Sequence, residues 1–167
     1  DQIGREYQRV ARLKLKRQLL DKLSSMHDFA VPDGMVDLEF QQIWASIEAE
    51  KKRGSDDASI AGKSDDELRT EFRPIAERRV RLGLLLSEVG RTNNLQISQE
   101  ELNRAMIEEA RRYPGQERKV IEFYKNNDQA QAQLRAPIFE DKVVDFILEM
   151  AKITDKTVTP EELTKAA

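Results

Sequence analysis

The sequence predicts an all-α protein, and a few observations carry that prediction. Apolar residues recur at spacings of three and four along the 167 residues, whereas strict alternation is almost absent. Helix-opening motifs, in which Ser or Thr precedes Glu by three positions, occur at Ser64, Ser98 and Thr159. Charged residues make up 35% and hydrophobic residues 39%, against roughly 25% and 45–50% in ordinary globular domains. A chain so poor in core material favours amphipathic helices spread over a large surface.

The first predicted helix spans residues 3–26, where basic side chains outnumber acidic ones. We interpret this excess as a solvated face, with a basic docking surface as the alternative. Its apolar face consists of Tyr7, Val10, Ala11, Leu15, Leu19, Leu20 and Leu23. Residues 29–32 are predicted to be extended because a residue before proline avoids the helical region. A second helix is predicted over 33–52, with a broad apolar face of Met35, Leu38, Phe40, Ile43, Trp44 and Ile47.

The next segment, residues 54–63, is small and polar and predicts a mobile loop. The Ser64 motif then opens a helix that is expected to reach residue 92. Within it, Pro74 removes an amide donor and predicts a kink or a restart. Gly83 lies in a run of leucines that predicts a central helix, and we expect it to let a neighbouring helix come close.

The last part of the chain begins with a brief extended piece at 95–97. The Ser98 motif predicts a helix to residue 113, and a short helix is predicted over 117–125 after the Pro114-Gly115 breaker. Asp128 is expected to cap a long helix that reaches residue 152 and is kinked at Pro137. Thr159 and Pro160 open a final helix, with proline at the favoured first position.

The composition excludes several classes of function. Lys+Arg total 28 and Asp+Glu 31, a net charge of −3, whereas general nucleic-acid binders carry a basic excess. Without cysteine there is no disulfide scaffold or Cys nucleophile, and one histidine, His27, cannot form a multi-His metal site. No apolar run approaches the ~20 residues that span a bilayer, and no signal-peptide pattern occurs. The start on Asp1 rather than Met leads us to expect a fragment or processed product.

Catalytic motifs are not recognisable either. The sequence has no phosphate-binding loop, nucleophile elbow or metal-ligand spacing. The carboxylate pair Glu100-Glu101 lies in the first turn of a predicted helix, where it complements the helix dipole. We therefore predict a non-enzymatic chain with no cofactor and no metal, whose function resides in exposed apolar surface.

Several segments resemble one family. Residues 78–93 (RRVRLGLLLSEVGRTN) closely resemble the C-terminal domain of bacterial trigger factor, and residues 119–126 (KVIEFYKN) resemble its short helix. Residues 143–163 are similar to its closing helix and terminal cap, and Phe29-Ala30-Val31-Pro32 also fits. The likeness covers essentially the whole chain in order.

The resemblance implies an elongated domain over residues 1–167 with two helical arms that form a cradle. The body would comprise roughly 1–32 and 128–167, and the arms 33–92 and 98–126. It further implies a cytoplasmic, ribosome-associated chaperone that works without ATP. The family's ribosome-binding and prolyl-isomerase domains are absent from this chain, so we expect no isomerase activity and no ribosome contact except through that absent N-terminal domain.

The family binds clients on apolar patches of the inner arm surfaces. By position, the resemblance implies a patch in the second arm made of Met106, Ala110, Tyr113, Val120, Phe123 and Tyr124. Further candidates in the first arm and body are Ile43, Trp44, Ile47, Leu84 and Leu85, with core packing as their alternative role.

The short helix over 117–125 allows one independent inference from its residues. Val120, Ile121, Phe123 and Tyr124 occupy about two turns, more than one contact face normally takes. We therefore expect Phe123 or Tyr124 to stay partly exposed together with Met106 or Tyr113. The alternative is that all four are core.

The leading hypothesis is therefore a chaperone domain whose partners are unfolded or nascent polypeptides, with no specific nucleic acid and no membrane. A homodimer is left open. One alternative is the helical cradle of a periplasmic chaperone linked to a different isomerase. The other is a helical scaffold or adaptor with one fixed protein partner.

Overall fold

The structure is a computed structural model that describes residues 2–54 and 57–165, with side chains from 4 to 163 within those ranges. Over this part of the chain every regular element is a helix, so the all-α prediction is confirmed. No helix in this part is both long and apolar enough to cross a membrane. The helices are α1 (Gln2–Met26), α2 (Asp33–Lys52), α3 (Asp65–Thr92), α4 (Gln99–Ala110), α5 (Glu117–Lys125), α6 (Asp128–Met150) and α7 (Pro160–Lys165).

The chain divides into two compact units. The first unit is Asp1–Leu85 with Pro160–Ala167, and the second unit is Leu86–Thr159. Helices α1, α2 and α7 belong to the first unit with most of α3, while α4, α5 and α6 belong to the second. The division into a body and two arms stays a prediction.

The core of the first unit is a stripe between α2 and α3. Val36, Phe40, Ile43 and Ile47 follow one face of α2 at helical spacing and are buried together with Leu68, Ala76 and Val80 of α3. The broad face expected for α2 is therefore narrower than predicted. Ion pairs between the two helices, such as Lys51 Nζ to Asp65 Oδ1 at 2.6 Å, flank this core.

The loop at 54–63 contributes to the same core. Ile60 is only 8% exposed and belongs to the α2–α3 cluster. A tight turn holds it, because the Asp57 carbonyl accepts the amides of Ile60 at 2.9 Å and Ala61 at 2.8 Å. The expectation of a mobile loop was wrong for Ile60. Burial of its apolar side chain against α2 and α3 holds this residue in place, although its neighbours in the sequence are polar. Residues 55 and 56 lie outside the described residues.

Helix α1 is thinly covered. None of its described side chains is buried, and Tyr7 and Ala11 of the predicted apolar face are exposed. The other five members of that face are half-buried. α1 contacts α7, and Arg78 of α3 pairs with Asp21 and donates to Ser24 Oγ at 3.3 Å.

The structure corrects two expectations, one about Pro74 within α3 and one about the N-terminal cap of α6. α3 is one continuous helix through Pro74, so the chain does not restart there. Pro74 and Thr70 are both exposed, so water can reach the carbonyl that proline leaves unbonded. The cap of α6 is Asn127 rather than Asp128, because the Asn127 side chain accepts the Ala130 amide at 2.9 Å.

The end of α3 is a complete Schellman turn. Asn94 adopts a left-handed φ of 53°, which asparagine tolerates better than most residues. The Leu95 amide donates to the Gly90 carbonyl at 2.9 Å and the Asn94 amide to the Arg91 carbonyl at 3.3 Å. This turn leads the chain into the irregular segment 95–97, as predicted.

The close approach expected at Gly83 occurs instead at Gly90. Gly83 is exposed and a Cβ there would meet no described atom within 4 Å. Gly90 is buried, and a Cβ there would overlap the ring of Phe139 from α6. Of the leucines in residues 82–86, only Leu86 is buried. Gly90, which follows the leucine run, is therefore the glycine that allows α3 to pack closely against α6.

An ion pair fixes the start of α4 against α6. Ser98 Oγ accepts the Glu101 amide at 3.2 Å, and the Glu101 carboxylate accepts the Ser98 amide at 2.7 Å, which completes the predicted capping box. Lys142 Nζ donates to the same carboxylate at 2.8 Å. The Lys142 hydrogen bond, followed by those from Ser98, lowers the pKa of Glu101 from 4.5 to about 2.

Substituting alanine for Gly83 and for Gly90 should separate the effect of helix packing on stability from the effect of helix propensity. Both changes bring the same propensity gain, but only Gly90→Ala places a methyl group against Phe139. We expect the free energy of unfolding of Gly90→Ala to be about 1–3 kcal/mol lower than that of Gly83→Ala. Urea denaturation followed by circular dichroism measures this difference. Equal stabilities would mean that Phe139 does not need the space at Gly90.

The Glu101 carboxylate should give the second unit a defined acid sensitivity. Folding lowers its pKa, so its stabilisation is complete above the unfolded pKa of 4.5 and is lost as the pH falls toward about 2. Glu101→Gln keeps a side chain that can cap the helix but removes the charge. Its stability deficit relative to wild type should therefore shrink across that window. Glu100→Gln, in the same helical turn, is the control, and an equal pH dependence in both variants would contradict the assignment.

Candidate functional site

The turn between α4 and α5 positions the candidate site in the second unit. α4 ends at Ala110, and Gly115 adopts a left-handed φ of 81° before α5 begins at Glu117. The Glu117 carboxylate accepts the backbone amides of Glu117 and Gly115, which lowers its pKa. A negative charge at the first turn also complements the dipole of α5.

Helix α5 buries none of its side chains completely. Val120, Ile121 and Tyr124 are half-buried, and α5 contacts both α4 and α6. Phe123 is 55% exposed, and Tyr113, in the turn before α5, is 50% exposed. We expected Phe123 or Tyr124 to stay partly exposed together with Met106 or Tyr113, and the exposure of Phe123 and Tyr113 confirms this. The rings of Phe123 and Tyr124 meet edge to face at 5.4 Å between centroids.

These side chains enclose a shallow cavity of about 230 Å³, which we call the aromatic depression. It is lined by Tyr113, Lys119, Val120, Phe123 and Tyr124. Its volume lies below the ~300–1,000 Å³ of pockets that hold drug-sized ligands. Its lining is apolar except for the Lys119 chain and the tyrosine hydroxyl groups. The depression is therefore suited to holding single large apolar side chains.

The other residues predicted for the second arm lie deeper. Met106 is 3% exposed and Ala110 is 1% exposed, and both belong to the buried face of α4. They support the hairpin that presents the depression and offer no surface to a partner. The structure thus brings Tyr113, Val120, Phe123 and Tyr124 together at the surface and places the other two residues in the core.

The candidates in the first unit are mainly core. Ile43 and Ile47 are buried in the α2–α3 stripe, and Trp44 and Leu84 are partly buried against it. Leu85 is half-buried. The Arg69 guanidinium lies 4.2 Å from the Trp44 ring centroid, and Trp44 Nε1 donates to Glu48 Oε1 at 3.0 Å. The Trp44 ring therefore already has partners within its own unit.

Other exposed apolar residues were missed in the sequence analysis as candidate surface. Met35 is 42% and Leu38 is 61% exposed on α2, and Ile107 is 46% exposed on α4. Their position beside the buried stripe, rather than on it, is the signal that could have identified them. Lys119 was also missed because a lysine in a short amphipathic helix has no distinguishing pattern.

Comparison with known proteins places the chain among its relatives. The family model described as bacterial trigger factor protein C-terminus matches residues 1–149. A protein named trigger factor from Azospirillum brasilense is 60% identical over 162 residues, 97% of this chain and 36% of that protein. Another protein of that name, from Paramagnetospirillum magneticum, is 56% identical over 165 residues, 99% of this chain and 36% of that protein.

The chain thus spans about a third of the length of these relatives. The resemblance found at residues 78–93 and 119–126 is confirmed by matches that cover nearly the whole sequence. From these matches we conclude that the chain belongs to the bacterial trigger factor family and corresponds to the C-terminus of its members.

Proposed function

We propose that this chain is an ATP-independent chaperone domain that binds apolar segments of unfolded or nascent polypeptides. The observation that carries the proposal is the aromatic depression. Tyr113 and Phe123 hold large rings half in water beside Val120 and Tyr124, although a folded chain gains by burying such groups. An apolar side chain of a client could complete that burial.

The size of the depression supports weak and reversible binding. Covering the exposed half of an aromatic side chain is worth about 2–3 kcal/mol, at roughly 25 cal/mol per Å². One such contact gives little affinity once the cost of ordering an unfolded chain is subtracted. Several contacts along one client can add through effective concentration. Release then requires only dissociation of individual contacts and no nucleotide.

Two ion pairs flank the residues of the aromatic depression in the sequence. Arg118 Nε lies 3.3 Å from Glu122 Oε1, and Arg112 Nη1 lies 3.0 Å from Glu109 Oε2. Both ion pairs keep at least one of their charged groups largely in water, and none of the four residues lines the depression. A small apolar centre with a polar rim is typical of surfaces that bind proteins.

Family membership supports the wider setting of the proposal. We infer that the protein acts in the cytoplasm and meets nascent chains at the ribosome, as the resemblance to trigger factor implies. We assign no catalytic step to this chain, since the resemblance attributes prolyl isomerisation to a different domain.

The chain should suppress aggregation without ATP. Reduced, denatured lysozyme diluted into buffer scatters light as it aggregates, and we expect a several-fold excess of this chain to lower that scattering. Adding ATP should change nothing. Unchanged scattering at that excess would contradict the proposal, and dependence on ATP would contradict its mechanism.

Phe123→Ala should weaken client binding without unfolding the chain. Because Phe123 is 55% exposed, we expect a stability loss of about 1 kcal/mol or less. By contrast, Leu102→Ala at a fully buried position should cost about 2–5 kcal/mol. Affinity for reduced, carboxymethylated α-lactalbumin should fall about three- to tenfold in Phe123→Ala.

The matched control for this variant is Ile107→Ala. Ile107 is 46% exposed in the same unit but does not line the depression, so client affinity should be nearly unchanged. Equal losses of affinity in the two variants would indicate nonspecific apolar adhesion and overturn the assignment of the site. A large loss of stability in Phe123→Ala would show that the ring is core.

A further inference from the structure

The second unit contains another concave surface, which we call the α6 groove. It has a volume of about 550 Å³ and lies between the segment 95–97 and α6. It is lined by Leu95, Gln96, Ile97, Ala132, Arg135, Ala136 and Phe139. None of these residues lines the aromatic depression.

Local sequence features build the α6 groove. The Schellman turn at Asn94 ends α3 and leads the chain alongside α6. The Phe139 ring lies against Gly90, which has no side chain to displace it. Ala132 and Ala136 are four residues apart on one face of α6. Their small side chains leave space between this face and the segment 95–97. Phe139 therefore gives the groove an apolar surface, and its ring is positioned by contact with Gly90.

The segment along the groove has free hydrogen-bond donors. Within the part of the chain that the structure describes, the amides of Gln96 and Ile97 donate to no protein group. Gln96 is exposed and Ile97 is half-buried, so water reaches this backbone. An irregular segment with unpaired amides can accept a second segment laid alongside it, as an open sheet edge does.

A single charge completes the lining. Arg135 is exposed, and no carboxylate within the described ranges lies in ion-pair distance of it. A guanidinium group favours a carboxylate, with which it forms two parallel hydrogen bonds. The other side chains of the α6 groove carry no charge. Charge complementarity therefore selects an occupant with one negative group among apolar ones.

We propose that the α6 groove binds an extended polypeptide segment with alternating aliphatic side chains and one carboxylate. The aliphatic side chains lie on Leu95, Ile97 and Phe139. A main-chain carbonyl of the segment accepts the amide of Gln96 or Ile97, and the carboxylate pairs with Arg135. This proposal goes beyond the proposed function because the α6 groove is a separate site. It recognises a main-chain carbonyl and a carboxylate of its ligand as well as apolar side chains.

A short peptide tests the proposal. The probe is a rhodamine-labelled heptapeptide of alternating Val and Thr with Glu at its centre, measured by fluorescence anisotropy with the whole chain. We expect saturable binding that weakens about three- to tenfold when Glu is replaced by Gln in the peptide. A thioamide accepts hydrogen bonds more weakly than an amide. Placing thioamides along one edge of the peptide, and along the other edge in a second peptide, should therefore weaken binding of only one of the two peptides.

Protein variants assign the contacts. Arg135→Gln should weaken the Glu peptide by the same factor and leave the Gln peptide unchanged, which is the pattern of a direct pair in a double-mutant cycle. Arg104→Gln, at an exposed arginine of α4 outside the groove, is the control and should bind normally. Phe123→Ala should also bind the Glu peptide normally, which separates the α6 groove from the aromatic depression.

The proposal is overturned if wild type shows no saturable binding of the Glu peptide, or if Arg135→Gln and Arg104→Gln bind it equally. It is also overturned if sedimentation shows a wild-type dimer that Ala136→Phe converts to monomers, since a second copy would then cover the groove.

Discussion

The narrow width of the hydrophobic cores is the constraint on which the rest of this structure depends. In the first unit α2 buries only four of its 20 residues, about one per turn between Val36 and Ile47. In the second unit α4 buries Leu102, Met106 and Ala110. Because one stripe per helix is enough to hold each unit, the remaining apolar side chains stay at or near the surface. α5 shows this clearly, because it is an amphipathic helix of nine residues with no fully buried side chain.

The elements could be predicted where local chemistry decides them. Ser64 and Ser98 open α3 and α4 because each reaches its Glu through reciprocal hydrogen bonds, which depend on four consecutive residues. Errors arose where a distant partner decides. Ile60 is held by α2 and α3, and Gly90 by Phe139, and neither partner is visible in the local sequence. Pro74 is tolerated because its surroundings are solvated.

The candidate site was predicted only in part for a similar reason. Helical spacing identifies residues that share a face, but it does not tell which face of a short hairpin is covered. Met106 and Phe123 are both large and apolar, yet they are 3% and 55% exposed, because Met106 belongs to the buried face of α4 whereas Phe123 lies on a face of α5 that no neighbouring helix covers. The resemblance to the family named both residues without separating core from surface. That separation needed the packing of α5 on α4 and α6.

The central claim is that the rings left uncovered by this narrow core are the surface that clients touch. Nuclear magnetic resonance of the side chains, during titration with reduced and carboxymethylated α-lactalbumin, tests it most directly. The account predicts that signals of Tyr113, Val120 and Phe123 shift and saturate together. Signals of Leu102 and Val143, both fully buried in the same unit, should stay in place. Shifts that leave Phe123 unmoved while the client binds would contradict the account.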